Sequence, residues 1–329
     1  MTNVLWLQGG ACSGNTISFL NAEEPTVCDL IADFGIKILW HPSLGLELGE
    51  NLQALLWDCI SGKIPLDILV FEGTVVNGPK GTGNWNRFAE RPMKDWLLDL
   101  SKVAKFVVAV GDCATWGGIP AIAPNPSESQ GLQFLKRQKG GFLGTEYLSK
   151  AGLPVINIPG CPAHPDWISQ ILVAMHIREP PKVIATGRLS DITLDEFHRP
   201  QTFFKSFTQT GCTRNIHFAY KASVAEFGQR KGCLFYDLGC RGPMTHSSCN
   251  RILWNRVSSK TRAGMPCIGC TEPEFPFYDL EPGTVFKTQT LMGAPKDIPP
   301  GMNRQDYALL TLVAKNMVPT WAEEDIFTV

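Results

Sequence analysis

Short apolar runs alternate with amphipathic stretches through the first half of the chain. Five runs have the length and the β-branched or aromatic content of buried strands: Val4–Leu7, Ile36–Trp40, Ile68–Phe71, Phe106–Val110 and Val155–Ile158. Helical periodicity occupies several of the segments between them, including Thr26–Phe34, Leu52–Ile60 and Met93–Val103. This alternation predicts βαβ units, and therefore an α/β fold with a parallel sheet and helices on both faces.

The alternation fades near residue 180, where Pro180-Pro181 gives the clearest boundary signal. We therefore predict two domains, residues 1–180 and 181–329. The second is expected to be mostly irregular or helical. It carries six of the eleven cysteines: Cys212, Cys233, Cys240, Cys249, Cys267 and Cys270.

Composition excludes several classes of partner. Hydrophobic residues make up 44% of the 329 positions and charged residues 19%, as in ordinary soluble globular proteins. The net charge of -1 gives no indication of a nucleic-acid or anionic-membrane partner. Apolar runs of eighteen residues are absent, and Lys315 and Pro319 interrupt the last apolar stretch, so we expect no transmembrane segment. The start of the chain shows no signal-peptide pattern, so we expect a cytoplasmic location.

Three cysteines follow predicted strands in glycine-containing turns. Cys12 lies in QGGACSGN, Cys113 in GDCATWGG and Cys161 in PGCPAHP. The carboxyl ends of parallel strands share one edge of a sheet, which is where such folds bind ligands. Glycines there let the backbone approach a bulky group and present N–H donors to it, as iron–sulfur clusters require. The alternative is three buried, inert thiols.

Four further residues of this half have structural interpretations. His41 and Glu72 fall on the same predicted edge, where we expect them to orient neighbouring groups rather than to bind a metal. Cys28 and Cys59 lie within helical periods and are predicted to be core thiols.

The second half leaves two kinds of metal site open. Cys267 and Cys270 form a Cys-x-x-Cys pair, which suits a single metal ion or a cluster. Zinc bound by Cys240, Cys249, Cys267 and Cys270 is one alternative. Two cysteines would then be left over, and the flanks are aromatic, which favours a cluster: Phe235, Tyr236, Trp254, Phe275 and Phe277.

Taken together, these segments resemble the small subunit of nickel–iron hydrogenases over nearly the whole chain. The most specific pieces are GDCATWGGIPA, NIPGCPAHPDW, GCRGP followed by Cys249, and MPCIGCTEPEFP. The resemblance implies a flavodoxin-like domain followed by an iron–sulfur cluster domain. The first half also resembles a subunit of respiratory complex I, but the second-half cysteines fit the hydrogenase.

Carried over by position, the resemblance implies three clusters. The proximal cluster would be held by Cys12, Cys113 and Cys161, the medial cluster by Cys249, Cys267 and Cys270, and the distal cluster by Cys212, Cys233 and Cys240. With Cys28 and Cys59, these sets account for all eleven cysteines.

The sequence departs from the family pattern at two ligand positions. Asn15 stands where the proximal cluster usually has a fourth cysteine, and Gln209 stands where the distal cluster usually has a histidine. The spacing between Cys233 and Cys240 is also about one residue longer than usual. Three thiolates per site favour [3Fe-4S] clusters, with [4Fe-4S] as the alternative for one or more. We expect Gln209 not to bind iron strongly. At Asn15 we expect the fourth corner of the proximal cluster to be vacant, and Asn15 could in addition cap a helix that starts near Thr16.

The implied function is electron transfer within an uptake hydrogenase of the cytosolic branch. The nickel–iron site would lie in a partner large subunit, so we expect no catalytic residue in this chain. Other expected partners are a redox acceptor at the distal cluster and further copies in a higher oligomer of heterodimers, with any membrane attachment made through partners. A hydrogen-sensing small subunit and a zinc-binding scaffold are the alternative functions.

Overall fold

A computed structural model describes residues 1–176, 193–276 and 303–317. The chain divides into two compact units. The first comprises Met1–Thr202 with Pro273–Phe275, and the second comprises Phe203–Glu272 with the described residues from Pro276 onward. The boundary predicted at Pro180-Pro181 lies outside the described residues.

A five-stranded parallel sheet forms the centre of the first unit. Its strands are β1 (Thr2–Gln8), β2 (Ile36–Trp40), β3 (Ile68–Glu72), β4 (Phe106–Val110) and β5 (Ile156–Ile158). Their spatial order is β2-β1-β3-β4-β5, the doubly wound arrangement of flavodoxin-like folds. The predicted fold class is therefore confirmed, and each strand lies within about two residues of its predicted bounds.

The strand ends are level at the carboxyl edge. Gln8 pairs with Glu72, Glu72 pairs with Val110, and Val110 pairs with Ile158. Strands β3 and β4 are buried along their whole length, which agrees with their continuous apolar sequences. The turns that follow β1, β4 and β5 consequently leave the sheet at the same height.

Helices cover this sheet and contribute its core. They are α1 (Gly14–Leu20), α2 (Val27–Ala32), α3 (Gly49–Ile60), α4 (Met93–Val103), α5 (Asp112–Trp116) and α6 (Pro165–His176). Helix α4 has the predicted bounds, and α2 begins at a capping box between Thr26 and Asp29. Leu52, Leu56, Trp96 and Leu97 pack from α3 and α4 into the main cluster of buried side chains.

Short elements fill the connections of the first unit. Three antiparallel pairs join Val75–Val76 to Ser129–Gln130, Arg87–Phe88 to Arg91–Pro92, and Phe134–Leu135 to Gln138–Lys139, and a 3₁₀ turn spans Ile119–Ala121. Helix α7 (Gln201–Phe204) lies where the two units meet in the sequence.

The second unit contains little regular structure, as predicted. Its described elements are α8 (Asn215–Ala219), α9 (Phe235–Leu238), α10 (Arg304–Val313) and 3₁₀ turns at Gly242–Met244 and Ala314–Met317. Aromatic rings form its core together with three thiols, those of Cys233, Cys240 and Cys267. Among the helices that the structure describes, none combines the length and the apolar character needed to cross a bilayer.

Candidate metal centres

The structure brings Cys12, Cys113 and Cys161 together at the carboxyl edge of the sheet. Cys12 follows β1, Cys113 lies in the first turn of α5 directly after β4, and Cys161 follows β5. Burial, with smaller contributions from the neighbouring charges of Asp112, Cys161 and Cys12, raises the pKa of the Cys113 thiol to about 12. Cys12 and Cys161 therefore both lie within electrostatic range of Cys113.

Glycines keep the backbone close to these sulfurs. A Cβ atom at Gly118 would lie 2.7 Å from Cys113 Sγ, and one at Gly14 would lie 3.1 Å from Cys12 Sγ. Gly118 also has φ +58°, a conformation that side chains rarely adopt. Any larger residue at these two positions would displace a thiol, so the glycines shape the space around the predicted proximal ligands.

Glu72 organises this edge through hydrogen bonds. Its fully buried carboxylate accepts the backbone N–H groups of Asn15 (2.9 Å) and Thr16 (3.2 Å), and the Thr16 hydroxyl donates to it at 2.5 Å. The side chains of Trp6 and Gln8 also donate to Glu72. A carboxylate at the start of α1 complements the unpaired N–H groups there. This is the orienting role that the sequence suggested.

His41 is likewise committed to the protein. Its ring lies 4.9 Å from the Trp6 ring, and its Nδ1 accepts the backbone N–H of Ser43 at 3.0 Å. Burial lowers the pKa of His41 to about 4, so the ring is neutral at physiological pH. These contacts make His41 a packing residue of the first unit, although its buried Nε2 atom has no hydrogen-bond partner among the described residues.

Asn15 is placed differently from the helix cap that the sequence allowed. Helix α1 begins at Gly14, and Ser13 is its N-cap residue, so Asn15 lies inside the first turn. The Asn15 Oδ1 atom accepts the backbone N–H of Ala163 at 2.8 Å, which ties the turn after β1 to the turn that carries Cys161. One lone pair of this oxygen is thus used within the protein.

Asp112 is a buried carboxyl group that the sequence analysis did not single out, although GDCATWGG contains it. Neither of its carboxylate oxygens has a hydrogen-bond partner among the described residues. Burial raises the pKa of Asp112 well above its ordinary value, and Lys136 opposes the shift. Its proximity to Cys113 makes Asp112 part of the electrostatic environment of this site.

The predicted distal ligands line one cavity in the second unit. Cys212, Cys233 and Cys240 all contribute to its wall, and it spans about 330 Å³, part of which is open to solvent. Burial raises the pKa of all three thiols, that of Cys233 to about 12. Removing their protons therefore needs a compensating charge, which a bound metal supplies.

Gln209 lies in the wall of the same cavity. The residue is 4% exposed, and its Oε1 atom is buried without a hydrogen-bond partner in the part of the chain that the structure describes. Gln209 therefore belongs to the wall around the three thiols, and its amide oxygen is one of several buried polar atoms that the described residues leave without a partner.

Arg214 provides a fixed positive charge beside the three thiols and was not identified from the sequence. Its guanidinium donates to the carbonyl oxygens of Thr261 (2.7 Å), Gly232 (2.7 Å) and Gln229. The pKa of Arg214 is lowered by burial, and the charges of Cys212, Cys233 and Cys240 oppose that shift. A cation in this position favours thiolates over thiols.

The predicted medial ligands lie in the same unit. Burial, with a smaller contribution from the charge of Cys267, raises the pKa of Cys249 to about 11. The Cys267 N–H donates to Cys240 Sγ at 3.3 Å, so the medial and distal sets are adjacent. Cys270 is half-buried and follows Cys267 through a turn at Gly269, which has φ +74°.

These residues fit iron–sulfur groups better than a single zinc ion. Tetrahedral zinc places its thiolates about 3.8 Å apart, given a Zn–S distance of about 2.3 Å. Within the described ranges, no group of three or more His, Cys, Asp or Glu side chains could hold one metal ion. All eleven cysteines fall within those ranges, and none of them forms a disulfide there. Buried thiols around a cavity, with N–H groups directed at sulfur, suit a larger sulfur-containing group.

The two remaining cysteines behave differently from each other. Cys59 is buried in the main core, as predicted, and burial raises its pKa to about 11. The prediction for Cys28 is wrong because this residue is exposed. Helix α2 is only six residues long, and Leu30 is its buried residue.

Comparison with known proteins identifies relatives along most of the chain. Residues 12–175 match the family model described as NADH ubiquinone oxidoreductase, 20 Kd subunit, and residues 204–280 match that of the C-terminal part of the NiFe/NiFeSe hydrogenase small subunit. The F420 non-reducing hydrogenase I small subunit of Methanosarcina mazei is 32% identical over 295 residues, which span 84% of this chain and 73% of that protein.

Two further relatives extend this result. The periplasmic NiFe hydrogenase small subunit of Solidesulfovibrio fructosivorans is 30% identical over 286 residues, covering 84% of this chain and 81% of that protein. A solved actinobacterial-type NiFe-hydrogenase from Ralstonia eutropha superposes with a TM-score of 0.74 at 27% identity, covering 99% of this chain and 88% of that one. Both the sequence and the fold therefore lead to the same family.

Proposed function

The chain belongs to the family of nickel–iron hydrogenase small subunits, and from this premise we propose that it relays electrons within an uptake hydrogenase. Hydrogen would be split in a partner large subunit that carries the nickel–iron site. The electrons would leave through three iron–sulfur clusters to an acceptor near Cys212, Cys233 and Cys240. Iron–sulfur clusters, when bound, supply one-electron oxidation and reduction.

The observation that carries this proposal is the convergence of the buried residues Cys212, Cys233 and Cys240 on one cavity. These thiols have raised pKa values, and backbone N–H groups donate to their sulfurs, with Phe235 N–H lying 3.4 Å from Cys233 Sγ. Such hydrogen bonds and the nearby Arg214 charge stabilise thiolates and influence the potential of a bound cluster.

The first unit would supply the end of the relay nearest the large subunit. Cys113 and Cys161 are half-buried, but Cys12 is exposed, so a partner is needed to exclude water from this site. Ile17 and Leu20 of α1 are exposed apolar side chains a few residues from Cys12. We propose that this end of α1 is covered by the large subunit.

The proposal is tested by iron and acid-labile sulfide analysis of the purified complex, with EPR spectra recorded before and after exposure to hydrogen. We expect iron and sulfide together with hydrogen-dependent changes of the cluster signals. The chain purified without its partner should oxidise no hydrogen. A colourless protein that contains zinc and no sulfide, or hydrogen oxidation by the single chain, would contradict the proposal.

The uptake role and the location are separate parts of the proposal. Slow turnover that no added acceptor accelerates would favour the hydrogen-sensing alternative. The cytoplasmic location stays a prediction, and the name of the Solidesulfovibrio relative places that protein in the periplasm.

A further inference from the structure

Lys136 is a cation that the protein holds against the end of α5. Its backbone N–H donates to the Trp116 carbonyl at 2.9 Å, and its Nζ donates to the Gly118 carbonyl at 2.8 Å. Carbonyls at the end of a helix have no partner within it, and a positive charge is favourable there. Cys113 lies in the first turn of this five-residue helix, so Lys136 is bound to the element that carries a predicted proximal ligand.

Gly118 connects the Lys136 contact to the Cys113 sulfur. A Cβ atom at Gly118 would lie 2.7 Å from Cys113 Sγ and 2.9 Å from Cys113 Cα. The residue whose carbonyl accepts Lys136 Nζ therefore packs on Cys113 with no side chain between them. The charge of Lys136 also opposes the rise in the pKa of Asp112, which directly precedes Cys113. The charge thus acts at both ends of α5.

A second carbonyl holds the same ammonium group. Lys136 Nζ donates to the Phe275 carbonyl at 2.8 Å. Phe275 ends the segment Pro273–Phe275, which packs in the first unit although the residues on either side of it belong to the second. Arg137 forms an ion pair with Glu274 of this segment. Two carbonyls therefore fix the position of the Lys136 charge, and Arg137 holds the segment that supplies one of them.

The backbone of Lys136 has an uncommon conformation. Lys136 and Arg137 connect the paired strands Phe134–Leu135 and Gln138–Lys139, and Lys136 has φ +51°, in the left-handed region. Glycine adopts this region more readily than lysine does. A lysine there costs backbone energy, and what it adds is the side chain that reaches both carbonyls.

We propose that Lys136 is a positioning residue of the proximal site, and that its charge raises the reduction potential of the cluster held by Cys12, Cys113 and Cys161. The proposal rests on the proposed function and deepens it. A reduced cluster carries one more negative charge than the oxidised one, so a fixed cation nearby stabilises the reduced form. The electron comes from hydrogen oxidised in the large subunit and passes on to the next cluster. Lys136 itself exchanges neither a proton nor an electron.

Arg137 is a neighbouring cation that lacks this position. Its side chain is 56% exposed, and its contacts are Glu274 and the ring of Phe197. Water and salt screen an exposed charge, and the Glu274 carboxylate compensates it. Arg137 therefore provides a matched control, because it lies one residue from Lys136 and holds the same segment.

The test compares the native complex with the complex that carries Lys136→Met, which keeps the reach of the side chain and removes its charge. Cys113→Ser first identifies the EPR signal that belongs to the proximal thiols, and this signal is then followed in a redox titration. At the potential where the native cluster is half reduced, we expect the ratio of reduced to oxidised cluster to fall about tenfold in the methionine variant. An unchanged ratio would overturn the proposal.

Two further variants separate charge from anchoring. Lys136→Arg retains a cation that can donate to the two carbonyls, so it should keep most of the native ratio. Arg137→Gln breaks the ion pair with Glu274 and leaves Lys136 in place, so the ratio should not change. If Lys136→Arg lowers the ratio as far as the methionine variant does, or if Arg137→Gln does so, loss of anchoring explains the effect and the proposal fails.

Lys136→Gln covers the case in which the methionine variant does not assemble, since glutamine keeps a donor but carries no charge. The same tenfold fall is expected, about one order of magnitude, and a native ratio would overturn the proposal. Reduction by hydrogen is recorded on all samples. A native complex without any cluster signal that hydrogen reduces would contradict the electron-relay proposal, whereas a native signal with unshifted neutral variants would contradict only the role of Lys136.

Discussion

Cys12, Cys113 and Cys161 stand in turns that a parallel sheet holds level, whereas Cys212, Cys233 and Cys240 lie where secondary structure is sparse. Between residues 203 and 276, the longest described helix is Asn215–Ala219, with five residues. The packed core of the parallel sheet fixes the geometry of the first site, and that core does not include the three thiols. In the second unit, the thiols of Cys233, Cys240 and Cys267 belong to the buried core itself.

This difference implies that a bound cluster contributes more to the folding free energy of the second unit than to that of the first. Where strand pairing and apolar packing determine the backbone, removing a cofactor leaves the fold in place. Where thiols and short turns form the core, the free energy of binding the cofactor is also free energy of folding. Large expected effects therefore belong to the second unit.

Removal of iron should destabilise the second unit far more than the first, and this is the largest effect expected. Bound structural metals contribute on the order of 10 kcal/mol to folding, and the second unit has little else to replace that contribution. Hydrogen-exchange mass spectrometry of the full chain, before and after chelation, should show loss of protection across 203–276. Strands β3 and β4 should keep theirs.

Reconstitution with iron and sulfide is the control for that experiment, and it should restore protection in the second unit. Equal loss of protection in both units would contradict the comparison, since it would mean that the sheet also depends on its cluster.

Asn15→Cys tests the first site and should have the next largest effect. The substitution adds a soft thiolate at the position where the family usually has one, in a segment that the Ser18 hydroxyl still ties to the Ala163 carbonyl. We expect about one more iron per chain and loss of a paramagnetic [3Fe-4S] signal from the oxidised protein. Iron analysis and EPR of the complex measure both quantities.

Asn15→Ser is a control for this substitution, because it removes the Asn15–Ala163 hydrogen bond without adding a thiol. It should leave the iron content unchanged. Four irons bound at Cys12, Cys113 and Cys161 in the native protein would show that the fourth corner is already filled.

The sequence accounts for the convergence of Cys12, Cys113 and Cys161 better than for that of Cys212, Cys233 and Cys240, for a physical reason. Apolar runs identify buried strands directly, and the level carboxyl ends of parallel strands then bring Cys12, Cys113 and Cys161 to one edge without further information. In the second half the alternation of strand and helix signals fades, and only the resemblance implied a domain that holds clusters there. The orphaned oxygen of Gln209 and the charge of Arg214 depend on tertiary hydrogen bonds, which a sequence does not display.

Two errors in the first unit have similar causes. Cys28 lies in a helical period, but periodicity does not determine whether a helix of six residues is buried at every position. The structure directs Asn15 to Ala163, a residue 148 positions away, so local capping preferences could not reveal its partner.

Glu72→Gln should give the smallest of the three effects, and it sharpens the comparison because it acts on protein contacts alone. Glu72 accepts two backbone N–H groups at the start of α1, together with donors from Thr16, Trp6 and Gln8. An amide there turns an NH₂ group toward at least one donor, which costs about 1–3 kcal/mol at a buried position.

Glu128→Gln is the matched control, since Glu128 also accepts two backbone N–H groups, those of Lys80 and Gly81, but at the surface. Its change should stay within about 0.5 kcal/mol. Denaturation of the complex measures both free energies of unfolding, and EPR should show the distal signal unchanged in each variant. Equal losses of unfolding free energy for the two substitutions would mean that burial does not strengthen the hydrogen bonds that Glu72 accepts at the edge of the sheet.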